Sequence, residues 1–195
     1  MKAASANLAR QCFLVLLLGA LLSATTVIPM SIEELTSAAD VVVRAHATEA
    51  WSTWNPERTL IYTYTRFRVE ETHKGRASAV ITVKQLGGSA EGYTQRVAGV
   101  RAWSPGDSAV LFLRPSEARD GTFVVVGLMQ GDFRIHYSPS GERVASNGMP
   151  ESAHDEVSSF QPSTREMGAY TGSQLSASDL EMRIRKAVDR AKETQ

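Results

Sequence analysis

Hydrophobic and polar residues alternate along several stretches of this chain, which is the pattern of half-buried β-strands. The longest alternation runs through TLIYTYTRFRVEETHKG, residues 59–75. One predicted face is apolar and includes Ile61, Phe67 and Val69. The other face is aromatic and charged and consists of Tyr62, Tyr64, Arg66, Arg68 and Glu70. Five further stretches predict strands: ADVVVRA (39–45), AVITVKQL (79–86), SAVLFLRP (108–115), TFVVVGL (122–128) and DFRIHY (132–137).

The spacing of these strands indicates the fold class. Residues 40–145 hold six or seven predicted strands at intervals of about ten residues, with no helix between them. Turn signals such as Gly87-Gly88 and Asp120-Gly121 separate them. Strands that follow one another without crossover helices pair antiparallel. We therefore expect a mainly β domain, either a sandwich or a small barrel.

A short helix is predicted before the first strand and a longer one at the end of the chain. In MSIEELTSAAD, Ser31 and Glu34 have the spacing of a capping box. In SDLEMRIRKAVDRAKE, an apolar stripe at helical spacing includes Leu180 and Ile184, and Ser178 is the predicted N-cap. Such a stripe predicts docking on the protein's own barrel; docking on a partner is the alternative.

The predicted division of the chain follows from these elements. Residues 25–145 form the β-domain, and residues 146–176, which are rich in Ser, Gly, Thr and Pro without periodicity, form a polar flexible linker. The C-terminal amphipathic helix then covers residues 177–193. No internal repeat is present in the sequence.

The first 24 residues have the layout of a secretory signal peptide. A basic start with Lys2 and Arg10 precedes an apolar run from Cys12 to Leu22, and small residues follow up to a predicted cleavage near Ala24. The run is shorter than the roughly 20 residues of a membrane-spanning helix, so a retained anchor is the less favoured alternative. We expect an exported protein, extracellular or periplasmic, with no stable membrane span after cleavage.

Removal of this segment changes the composition of the chain. Cys12 is the only cysteine, so a chain cleaved near Ala24 forms no disulfide. The 21 basic residues fall to 19 against 21 acidic ones, and the net charge becomes −2. Nucleic-acid binding relies on excess positive charge, and we therefore exclude nucleic acid as a partner. Nothing in the sequence indicates the oligomeric state.

The order of a helix, ADVVVRA and a long strand ending in Lys74-Gly75 resembles the netrin-like domain of tissue inhibitors of metalloproteinases. The resemblance spans roughly residues 31–137, and the layout is also similar to that of uncharacterised exported bacterial proteins. It implies an OB-like antiparallel barrel of five strands with helices packed outside. The inhibitors of this family coordinate the catalytic zinc ion of the protease through an N-terminal cysteine. This chain has no cysteine after the predicted signal peptide. The resemblance therefore carries over the scaffold alone.

The sequence lacks the common catalytic and metal-binding motifs. It has no H-E-x-x-H, no C-x-x-C and no Gly-rich phosphate loop, and its four histidines lie at least 18 residues apart. We therefore predict no catalytic residue, no metal and no cofactor. The densest titratable cluster, residues 154–156, falls in the predicted linker. A hydrolase remains the alternative; it would need Ser89 or Ser104 beside His46 or His136.

The most distinctive chemistry is on the polar face of residues 59–75. Tyr, Trp and Arg dominate binding hot spots, so we predict a binding surface there. Its predicted members are Tyr62, Tyr64, Arg66, Arg68 and Trp103, with Trp51 and Trp54 in nearby loops. The chain is predicted to be an exported non-enzymatic binding domain that engages a protein such as a secreted protease; a glycan is the alternative ligand. The alternative is that the C-terminal helix covers this face through Leu180 and Ile184.

Overall fold

The computed structural model describes residues 29–150 and 172–193. Two α-helices are present in this part of the chain, α1 (Ile32–Ala38) and α2 (Ala177–Glu193), with a 3₁₀ turn at Leu128–Gly131. The strands are β1 (Val41–Trp54), β2 (Ile61–Lys74), β3 (Val80–Leu86), β4 (Gly88–Ala90), β5 (Tyr93–Gln95), β6 (Ser108–Pro115), β7 (Phe123–Val125), β8 (Asp132–Tyr137), β9 (Arg143–Pro150) and β10 (Gly172–Ser176).

Five strands close into a barrel in the order β1-β2-β3-β7-β6, with β6 returning to β1. The pairs are antiparallel except β3 with β7, which are parallel and joined through Val83 and Phe123. This strand order is that of an OB-like barrel, so the predicted mainly β fold with two flanking helices is confirmed. Strands β8, β9 and β10 extend the sheet beyond β6, and β4 with β5 forms a separate hairpin.

Strand β1 closes the barrel because it bends to pair with two neighbours. It pairs with β2 along its length and with β6 through Val41–His46. Three irregularities in its register with β2, the first between Val42 and Val43, provide the bend, since extra residues in one strand increase its twist.

The three consecutive valines of β1 are buried because both faces of the strand are covered. Val41 and Val43 point into the barrel interior, where they pack with Phe67 and Leu111. Val42 points to the outer side, beneath both helices. A strand covered on both faces carries a continuous apolar run instead of an alternation.

Lys74 and Gly75 join helix α1 to the end of β2. The capping box of α1 is present, with Ser31 Oγ accepting from the Glu34 N–H at 3.2 Å and Glu34 Oε2 accepting from the Ser31 N–H at 2.7 Å. At the other end of the helix, Lys74 Nζ donates to three main-chain carbonyls. Gly75 has a φ of 73°, and a Cβ there would lie 2.2 Å from the Asp40 carbonyl oxygen.

Parts of the predicted division of the chain are wrong. Residues 146–150 and 172–176 were predicted as linker but pair as β9 and β10, with Leu175 opposite Ala145. The N-cap of α2 is Ser176 and not Ser178, because Ser176 Oγ accepts from the Asp179 N–H at 3.0 Å. The predicted signal peptide at 1–24 and the central part of the linker, 151–171, lie outside the described residues.

A candidate binding face on strands β1 to β3

The polar face of β2 is not covered by helix α2. Leu180 and Ile184 pack against the outer side of β1 and β6, in a buried cluster that includes Val42 and Phe112. The alternative that these two helix residues cover the face of β2 is therefore wrong. Tyr62 and Tyr64 are half-buried, and Arg66 and Arg68 are exposed.

Aromatic and cationic side chains from three strands form one continuous row on this face. Lys84 Nζ lies 4.5 Å from the ring centroid of Tyr62 and 5.7 Å from that of Tyr64. Tyr64 stacks on Trp51 with centroids 5.6 Å apart and planes 14° apart, and the Arg66 guanidinium lies 5.4 Å from the Trp51 centroid. We call these five residues the aromatic–cation ladder. Contacts of this kind are each worth about 0.5–1.5 kcal/mol.

The two cationic side chains of the ladder, Lys84 and Arg66, each form an ion pair with a neighbouring carboxylate. Lys84 Nζ lies 3.4 Å from Asp120 Oδ2, and Arg66 pairs with Glu49. Burial opposes the charge on Lys84, but Tyr64 and Asp120 outweigh it and raise the pKa of this lysine. The ladder is thus an ordered surface with little net charge.

Register, and not sequence spacing, brings the ladder together. Tyr64 pairs with Trp51 of β1 on one side and with Lys84 of β3 on the other. The predicted loop position of Trp51 is wrong, because Trp51 lies in β1, and Lys84 was not among the predicted site residues. The sequence does place Lys84 on the polar face of the predicted strand AVITVKQL. That this face adjoins the polar face of β2 follows only from the register in which β2 and β3 pair.

A groove of about 410 Å³ lies at the Tyr62 end of the ladder. Tyr62, Lys84 and Leu86 form one wall, and the β6–β7 loop forms the other with Ser116 and Glu117. The remaining lining residues are Arg114, Ala118, Val124, Val125 and Leu128. The groove therefore combines an apolar lining with cationic and acidic groups. In OB-like barrels, the face of the second and third strands and the loop between the fourth and fifth strands bind ligands.

Trp103 is not part of this face, and its predicted role in binding is wrong. Its side chain is 3% exposed and lies inside the barrel. Its ring meets Phe67 edge-on at 5.1 Å, and its indole N–H donates to Asp132 Oδ1 at 3.1 Å. Burial raises the pKa of the Asp132 carboxyl, against the opposing effect of Arg101. Trp103 thus supports the core.

Arg68 is on the predicted face but outside the ladder. Its guanidinium lies 3.3 Å from His46 Nε2, and His46 Nδ1 is 3.6 Å from Glu70 Oε1. Of the five predicted site residues, the structure brings Tyr62, Tyr64 and Arg66 into the ladder and places Arg68 beside it.

The residues of the hydrolase alternative are not assembled. Ser89 Oγ hydrogen-bonds Thr94 Oγ1 at 2.8 Å, and His136 is exposed on β8. Within the described ranges, neither Ser89 nor Ser104 hydrogen-bonds a histidine. The cluster at residues 154–156 lies outside them.

No family model matches this chain, and no curated protein matches it in sequence. Within residues 29–150 and 172–193, no helix has the length and apolar character that crossing a bilayer requires. The protein is an OB-like barrel with an ordered surface of aromatic and cationic side chains. Function is therefore inferred from the chemistry of that surface.

Proposed function

We propose that this chain is an exported, non-enzymatic binding domain with a netrin-like OB barrel, and that a protein partner such as a secreted protease binds to its ladder and groove. The observation that carries the proposal is the uneven covering of the barrel. Both helices pack on the outer side of β1 and β6, whereas no helix of the described residues packs on the ladder on β1–β3.

The composition of the face favours a protein ligand. Tyr, Trp and Arg are the residues enriched in the hot spots of protein interfaces. Trp51 is 37% exposed and Leu128 is 50% exposed, so apolar surface is available at both ends of the face. Polyanions are disfavoured because Lys84 and Arg66 already pair with carboxylates and because the exported chain has more acidic than basic residues.

The groove fits an extended peptide segment of such a partner. In the described part of the chain, β3 pairs with β7 only through Val83 and Phe123. The edge of β3 beyond that pair faces the groove, which is lined by Lys84 and Leu86. An extended segment can add to such an edge by main-chain hydrogen bonds while its side chains enter adjoining pockets.

The resemblance to metalloproteinase inhibitors makes secreted zinc proteases the first partners to test. The full chain, expressed with its leader and purified from the exported fraction, is titrated against a panel of these proteases, with both direct binding and residual activity measured. We expect saturable binding to at least one protease. We expect Tyr62→Ala with Arg66→Ala to weaken that binding by about 100-fold, since two hot-spot truncations each cost 1–2 kcal/mol or more.

A matched control keeps the same residue types on another surface. Tyr137 and Arg143 are paired across β8 and β9, and both are exposed. Tyr137→Ala with Arg143→Ala should leave binding unchanged. Equal binding by the two double variants would show that the partner does not bind to the ladder. Absence of binding to every protease at high micromolar protein would remove proteases as the partner class.

A further inference from the structure

Three potential metal ligands converge where the end of β2 meets the second turn of α2. Glu71 and His73 are two residues apart on β2, and Glu181 projects from the helix. One ligand atom from each of the three lies within 4.8 Å of the other two. Zinc bonds of about 2.0–2.2 Å hold ligand atoms roughly 3.5 Å apart, so small side-chain rotations bring these atoms into range.

Two of the three ligands, His73 and Glu181, are buried, and each has a side-chain atom, His73 Nε2 and Glu181 Oε1, without a hydrogen-bond partner in the described structure. The side chain of His73 is 1% exposed, and its Nδ1 lies 3.6 Å from Glu71 Oε1, beyond hydrogen-bonding distance. The side chain of Glu181 is 9% exposed, and its buried Oε1 takes part in no hydrogen bond in the described structure. Buried polar side chains normally have partners. A cation between these groups would supply one for both.

Together, the three ligands and the charged groups around them carry more negative than positive charge, which favours a bound cation. Arg44 Nη2 binds Glu71 Oε2 at 3.1 Å, which leaves Glu71 Oε1 directed at His73. Glu181 has longer contacts, with Arg44 Nε at 3.5 Å and Arg185 Nη2 at 3.7 Å. With Glu70, which also binds Arg44, three carboxylates face two guanidiniums. The arginines orient the carboxylates as outer partners, and their charge limits the affinity to a moderate value.

We propose that Glu71, His73 and Glu181 bind one divalent transition-metal ion, for which zinc is the best match. An imidazole nitrogen with two carboxylates suits zinc, whereas calcium and magnesium prefer all-oxygen sites. The ion would join the end of β2 to α2 and so stabilise the docked helix. The site is separate from the ladder, and the inference stands whether or not the proposed binding function holds.

The test uses the full exported chain without an affinity tag, treated with EDTA and desalted. Zinc chloride is titrated by calorimetry, and cobalt(II) is followed by its visible absorption. We expect one zinc ion per chain, a cobalt spectrum typical of low coordination number, and a higher Tm with zinc than without. His73→Gln and Glu181→Gln should each weaken zinc binding about tenfold or more.

The control changes the same residue types on the hairpin formed by β8 and β9. His136 and Glu142 are exposed, and His136→Gln with Glu142→Gln should bind zinc as the unmodified chain does. If His73→Gln does not fold, Glu71→Gln and Glu181→Gln provide the same comparison. The proposal is overturned if zinc does not bind at millimolar concentration. It is also overturned if the variants of the proposed ligands bind zinc as the unmodified chain does, or if the control variant loses zinc binding as they do.

Discussion

Replacement of Lys74 by Met tests whether one side chain holds helix α1 on the barrel. Lys74 Nζ donates to the carbonyls of Thr36 and Ala39, both at 2.7 Å, and to that of Ser37 at 3.2 Å. Helix α1 has seven residues and no basic residue in its last turn, so β2 supplies the cation at this C-terminus. Methionine keeps the apolar stem of lysine but removes the donor and the charge.

The expected loss follows from the burial of the acceptors. Thr36 and Ala39 are each 2% exposed, so water cannot replace two of the three hydrogen bonds. Ser37 is exposed, and water replaces the third. A hydrogen bond from a charged donor contributes about 1.5 kcal/mol at the lower end of its range. Because this value is already net of hydration, two such bonds give a predicted loss of about 3 kcal/mol.

Equilibrium unfolding in urea measures this loss as a shift of the midpoint with an unchanged slope. Lys186→Met is the control, because Lys186 is exposed on α2 and lysine and methionine have similar helix propensities. A loss for Lys74→Met below about 0.5 kcal/mol, or one equal to that of the control, would refute the reasoning, because surface substitutions alone reach that size.

Two further predictions concern the same end of the molecule. Gly75→Ala should lower the free energy of unfolding in urea by several kcal/mol more than Gly141→Ala does. Both glycines have positive φ, but of the two added Cβ atoms only the one at 75 meets a neighbour, the Asp40 carbonyl oxygen at 2.2 Å. Similar losses for the two variants would contradict this. The hydrogen bond from Arg183 lowers the pKa of Glu33 below its ordinary value of 4.5, so the pair contributes stability above pH 4.5 and loses it as the pH falls through the lower folded value. Arg183→Gln should therefore flatten the fall in unfolding free energy below pH 4.5, and an unchanged pH profile would show that the pair contributes nothing.

The strands could be predicted from the sequence because their signals are local. Alternation along residues 59–75 and the capping box at Ser31 and Glu34 each involve neighbours in sequence, and both are confirmed. The run of valines at 41–43 predicts a strand, but its burial on both faces depends on helix α2 and on strands β2 and β6, which are distant in the chain. The signal peptide and the netrin-like relationship stay predictions.

The positions that could not be predicted depend on long-range pairing. Trp103 precedes a turn in an irregular segment, so no alternation assigned it to the interior. Residues 146–150 and 172–176 are rich in Ser and Gly, which have low strand propensity, and they pair because β8 and α2 hold them in place. Lys84 reaches the ladder only through its register opposite Tyr64.

The residues that carry the resemblance to netrin-like domains have structural roles in this barrel. Lys74 binds the end of α1, Gly75 allows the close approach of Asp40, and Val41–Val43 are buried between the interior and the helices. A chain that packs a short helix against this strand end needs such residues whatever it binds. The ladder lies on other positions, chiefly Tyr64 and Trp51, which the resemblance does not include. The resemblance is therefore informative about the scaffold, and differences in partner among proteins of this layout should follow the residues on the outer face of β1–β3.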